Sequence, residues 1–148
     1  GVADVLGYAV TGDPDFIDLG AIAVDRDMAE GRDLTEDDVT FVEQPGEDEI
    51  PLVAQFDPYR VGTILARLVH EVWTAVSPTF DTASRDRLIA LTLSSIRGLE
   101  YEAGFHVGTF VDAFVAQLEP AEQATACPIV RARFAPLIDR MTSCPEAP

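Results

Sequence analysis

The chain has 148 residues, 47% of them hydrophobic, and sets 10 basic against 26 acidic side chains for a net charge of −16. That length suits one domain with a real core. A surface this negative repels phosphate backbones and anionic lipid, which argues against nucleic-acid partners, and no apolar run reaches the roughly 18–20 residues of a membrane span.

Residues 1–12 form the first predicted helix, with Val2, Val5, Leu6 and Ala9 at helical spacing and Thr11-Gly12-Asp13-Pro14 as its stop. Residues 13–57 are rich in Asp, Gly and Pro and read as a long, mostly irregular acidic excursion. From residue 58 the pattern is helical. Asp57 is placed to cap a long helix that Pro58 opens, and Val61, Ile64, Leu65, Leu68, Val69, Val72, Trp73 and Val76 make its apolar face. A second helix starts near Thr82, with Leu88, Ile89, Leu91, Leu93 and Ile96 expected inward, and a third covers about residues 107–118. Pro120 opens a last region that Pro128 and Pro136 are expected to divide into short pieces. The fold class is mainly α, an orthogonal helical bundle in one domain: residues 1–12 first helix, 13–57 acidic loop region, 58–142 helical core, 143–148 tail.

Self-contained chemistry is hard to find. His70-Glu71 lacks the second His of a His-Glu-x-x-His zinc helix, since position 74 is Thr. Glu102 and His106 are four apart, but two ligands do not make a metal site. Asp25, Asp27, Asp33, Asp37 and Asp38 imitate a calcium loop, yet Ala29, Glu30 and Gly31 put the register out by one, leaving a solvated acidic loop as the expectation. No Gly-x-Ser-x-Gly elbow and no phosphate loop is present. Cys127 and Cys144 either form a disulfide, which would imply export, or are two reduced thiols.

Two segments, in order, carry a family resemblance. GVADVLGYAVTGDP resembles the helix that follows the third zinc ligand in gluzincin metallopeptidases of the thermolysin and fungalysin type, where a Glu ligand precedes an Asp by four residues. Asp4 matches that Asp, and the ligand would stand immediately before Gly1. DPYRVGTILARLVHEVWTAV, residues 57–76, looks like the family's Asp-Pro-His-x-x-Gly helix, with Tyr59 in place of the His.

The resemblance implies that this chain is the C-terminal helical lobe of a secreted or periplasmic zinc metallopeptidase, or of an inactive relative. Asp4 would orient a zinc-bound His. Tyr59 would donate to the oxyanion, and Arg60 would lie at the cleft edge. Lacking the His-Glu-x-x-His helix, the chain alone would hold no metal and be inactive, with zinc belonging to the complete enzyme. Its partners would be the missing N-terminal catalytic half or a peptide substrate. An exported relative also implies a Cys127–Cys144 disulfide. The alternative is a helical ligand- or partner-binding module with a pocket lined by Trp73, Phe105, Phe110 and Phe114.

Overall fold

A computed structural model describes residues 1–17, 26–38, 58–99 and 107–145, with the backbone alone at residues 58 and 59. The fold is mainly α. Its helices are α1 (Val2–Thr11), α2 (Pro58–Val76), α3 (Thr82–Arg97), α4 (Val107–Ala116) and α5 (Pro120–Arg133), followed by a 3-10 helix, Ala135–Arg140. Among the described residues there is no strand.

The amphipathic face of α2 makes it the central helix, packed against α1, α4 and α5. Ile64, Leu68, Val69, Val72 and Trp73 are fully buried. They meet Val5 and Tyr8 of α1, Leu88 of α3, Phe110 and Phe114 of α4, and Val130, Phe134 and Leu137 near the C-terminus in one core. Each large side chain removed from water contributes about 1.5–3 kcal/mol before chain entropy is subtracted. Trp73 needs a partner for its N–H and finds one, donating to Ser84 Oγ at 3.1 Å.

Local rules explain the ends. Gly12 takes the left-handed conformation, φ 77°, and its N–H bonds the Tyr8 carbonyl, closing α1. Asp81 caps α3 by accepting from Ser84 N at 2.9 Å. Glu122 accepts from Glu119 N at 2.9 Å at the start of α5 and also takes a two-pronged ion pair from Arg87.

Two expectations fail. Pro128 does not divide the last region: α5 runs continuously from Pro120 to Arg133 with Pro128 inside it. The proline removes one backbone donor, but its ring lies on the solvent side. Ala126, Cys127 and Val130 are meanwhile pinned in the core, so packing outweighs the local cost of about 3 kcal/mol. Pro136 lies in the first turn of the 3-10 helix, where a missing N–H is harmless.

The inward face of α3 differs from the expectation at two positions. Leu88 is buried and Ile89 and Leu91 pack against the core, but Leu93 and Ile96 are exposed, and Ser84, Thr92 and Ser95 take buried places on the same helix. Ser95 makes that inversion tolerable by donating to Leu91 O at 2.7 Å and accepting from Gln117 Nε2 at 2.8 Å.

Cys127 and Cys144 form a disulfide, with Cα atoms 5.2 Å apart. Asp112 of α4 secures the same segment, accepting from Ser143 N, Ser143 Oγ and Thr142 Oγ1 at 2.7, 2.6 and 2.9 Å.

Candidate functional site

Asp4 lies in the first turn of α1 and is only 3% exposed. An ionised carboxylate at that depth needs cationic or hydrogen-bonding partners. Arg26 donates through Nη2 to its Oδ1. Its Oδ2 lies 3.1 Å from the Gly1 nitrogen in an ion-pair contact, but no donor among the described residues is aligned on it as a hydrogen bond. Asp4 therefore combines one oxygen fixed by Arg26 with a second, buried oxygen that retains acceptor capacity.

Gly1 brings this turn to α2. A Cβ on Gly62 would stand 2.8 Å from the Gly1 nitrogen, and one on Gly1 would stand 2.8 Å from the Gly62 carbonyl oxygen. Main chain meets main chain here, which only glycine on both sides permits. The crossing puts Asp4 beside the opening turns of α2, where positions 59 and 60 stand. The Tyr59 side chain lies outside the described residues, as do Asp57, Asp25, Glu102, Phe105 and His106.

Arg60 is drawn to Asp38, donating from Nε to Oδ1 at 2.8 Å. Asp38 is itself buried and accepts from Thr35 N at 3.0 Å and Thr35 Oγ1 at 2.7 Å. Burial alone would raise its pKa. The bonds from Thr35 and Arg60, with the Arg60 charge, together outweigh burial and hold the carboxyl below the usual value.

Further along α2, Arg67 Nε donates to the Asp27 carbonyl at 2.5 Å. Glu71 takes both Nε and Nη2 of Arg133 at 2.8 and 3.2 Å, and Arg133 also reaches Asp33 at 2.9 Å. Residues 26–38 thus lie along α2 as a loop that ends in a helical turn at 36–38, with Met28 and Leu34 buried and both ends held near the Gly1–Gly62 crossing. This part of the acidic excursion is bonded and packed rather than merely solvated.

His70 is half-buried, its ring edge-on to Tyr8 with centroids 4.8 Å apart. Burial pushes its pKa down against the charge of Asp27, a bond to the Met28 backbone and the charge of Glu71. Tyr8 stacks on Phe80 at 4.5 Å, and burial raises its phenol pKa while the Arg85 charge opposes that.

Among the described residues no three His, Cys, Asp or Glu side chains gather as metal ligands would. None of the helices described is long and apolar enough to cross a membrane. Trp73, Phe110 and Phe114, named from the sequence as pocket walls, are core side chains packed to 2% exposure or less.

Asp4 and the start of α2 are therefore adjacent. Sequence reasoning missed Arg26 and Asp38 as their partners. One signal was available for Asp38: Thr35-x-x-Asp38 is a reciprocal capping pattern. The chain matches no protein family model, no curated protein and no solved structure.

Proposed function

We propose that this chain is the C-terminal helical lobe of a secreted zinc metallopeptidase of the gluzincin type, or of an inactive relative, and is not a peptidase by itself. The observation that carries the reading is Asp4: a buried carboxylate on the first turn of a helix, one oxygen fixed by Arg26 and the other 3.1 Å from the Gly1 nitrogen with a lone pair to spare. A Glu ligand immediately before Gly1 would be four residues from Asp4, one helical turn, so both carboxylates face the same side. Asp4 Oδ2 would then accept the imidazole N–H of a metal-ligating His and fix its tautomer.

Zinc held by three protein ligands would activate the attacking water, and in this reading those ligands would come from the segment before Gly1. Tyr59, in the first turn of α2, is the donor assigned to the developing oxyanion. The Arg60 guanidinium is engaged by Asp38, and in this reading it would lie at the cleft edge. An extended peptide is the substrate class, lying along the start of α2. The Cys127–Cys144 disulfide supports an exported protein, because such bonds persist in oxidising compartments.

The test begins with the coding sequence upstream of Gly1. A Glu immediately before Gly1 and a His-Glu-x-x-His further upstream are expected. The protein extended through them should bind one zinc, and Asp4→Asn should weaken that binding by about 10- to 100-fold with the fold retained by circular dichroism. An upstream sequence without those ligands, or tight stoichiometric zinc on the 148 residues alone, would overturn the reading.

A further inference from the structure

Two side chains of α2 grip the loop of residues 26–38 at neighbouring positions. Arg67, only 4% exposed, donates through Nε to the Asp27 carbonyl at 2.5 Å. His70, one turn further along the helix, hydrogen-bonds the backbone of the next loop residue, Met28. A buried guanidinium and a half-buried imidazole therefore hold adjacent residues of the loop. Two backbone bonds tie the same stretch elsewhere: Met28 N donates to the Pro14 carbonyl at 3.1 Å, and Leu34 N donates to the Arg133 carbonyl at 2.7 Å.

The charges around the imidazole decide what a proton there would do. Asp27 from the loop and Glu71 from α2 itself both attract a cation. Glu71, however, already takes two N–H groups from Arg133 of α5, and Arg67 places a fixed positive charge one turn away. From α1 the ring meets the uncharged Tyr8 ring, edge-on at 4.8 Å, and Arg85 of α3 acts on that phenol. Protonation would set a third cation beside Arg67 and Arg133, where burial already disfavours charge. Burial lowers the His70 pKa in spite of both acids, the direction that this crowding requires.

We infer that His70 is a pH-operated catch for residues 26–38: neutral, it lets the loop lie down on α2, and protonated, it releases it. This holds whether or not the chain is a peptidase lobe. The consequence falls on the candidate site, because the loop ends in Arg26, bonded to Asp4, and Asp38, bonded to Arg60. A histidine whose folded pKa lies below the ordinary 6.5 stabilises the closed loop above that pH, and the contribution is lost as pH falls through the folded value. Asp38 is held below 3.8, so the two groups act in separate windows.

Exchange of the Met28 and Leu34 amide hydrogens, followed by NMR in the 148-residue chain at about pH 7.5 and 5.5 and corrected for intrinsic rates, tests this. Protection at both should fall by about three- to tenfold at the lower pH, about tenfold being the most that one imidazole of ordinary pKa can impose there. Ala126 and Val130 of α5 should keep their protection. His70→Gln keeps a donor but cannot titrate, so it should hold Met28 and Leu34 equally protected at both pH values. A second reading, independent of how that variant folds, is the titration of the His70 ring itself, isolated by His106→Gln, with a midpoint expected below 6.5. Unchanged protection in the native chain, an equal loss in His70→Gln or in α5, or a ring midpoint at or above 6.5 overturns the inference.

Discussion

The Gly1–Gly62 crossing is the contact on which the geometry of the candidate site depends, and Gly62→Ala sets two effects against each other. Inside α2, alanine should gain about 1 kcal/mol over glycine from helix propensity. Against this, the new Cβ would stand 2.8 Å from the Gly1 nitrogen and 3.4 Å from its Cα, both main-chain atoms with no rotamer to give way. Overpacking of that kind costs about 1–3 kcal/mol. The net expectation is a loss of about 1 kcal/mol, or about 2–4 °C in thermal midpoint for a chain of this size. Gly98→Ala is the control: φ there is −79° and the nearest atom to an added Cβ is at 3.6 Å, so that variant should be neutral or more stable. Calorimetry of the two variants decides. If Gly62→Ala raises the midpoint as much as Gly98→Ala, α1 is not held against α2 by a glycine contact, and the placement of Asp4 beside the start of α2 loses its support.

Other perturbations probe the loop, the tail and α5. Asp38 is depressed below its usual value near 3.8, so its contribution is fully present above that pH and is lost as pH falls through the lower folded value. Hydrogen exchange over residues 26–38 should therefore accelerate in that acidic window, and Asp38→Asn should bring the acceleration to neutral pH at a cost of about 1–2 kcal/mol; unchanged exchange in the variant counts against the clasp. Opening the Cys127–Cys144 bond, with a sequence separation of 17, should cost about 3 kcal/mol and add two hydrogens by mass; an unchanged melting curve after confirmed reduction contradicts that role. Pro128→Ala restores an interior helix donor worth up to about 3 kcal/mol and gives back about 0.4–1 kcal/mol of unfolded-state entropy, so the melting temperature should rise; a fall would mean the helix is built around the proline.

The fold was legible where one periodicity dominated. In α2 the apolar residues at positions 61, 64, 65, 68, 69, 72 and 73 are buried and Val76 is partly so, because a central helix meets neighbours on a broad face. In α3 Leu88, Ile89 and Leu91 turn to the core, but Leu93 and Ile96 lie outside, and the short side chains of Ser84 and Ser95 fill the contacts with Trp73 and Gln117. Hydrophobicity alone could not reveal that inversion. Pro128 misled for a related reason: a local cost read from sequence carries no information about the core contacts that outweigh it. Asp4 stood out only through its family resemblance. Its partner Arg26 is 22 residues away, a pairing that no local pattern encodes.

The acidic excursion shows why net charge was a poor guide to this region. Exposed ion pairs contribute little, about 0–1 kcal/mol, so the Asp33–Arg133 contact is a weak reason for the loop to stay on α2. The stronger reasons are Met28 and Leu34, both buried, together with Asp4 and Asp38, whose carboxylates are out of water and therefore costly to leave unpaired. Those two acids stand at opposite ends of residues 26–38, each holding an arginine across a gap of 22 residues in the chain. The loop is fastened at its ends by desolvated charge and in its middle by apolar side chains. The two arginine contacts converge beside the Gly1–Gly62 crossing, so the same charges that hold the loop also fix the carboxylate on which the proposed function turns.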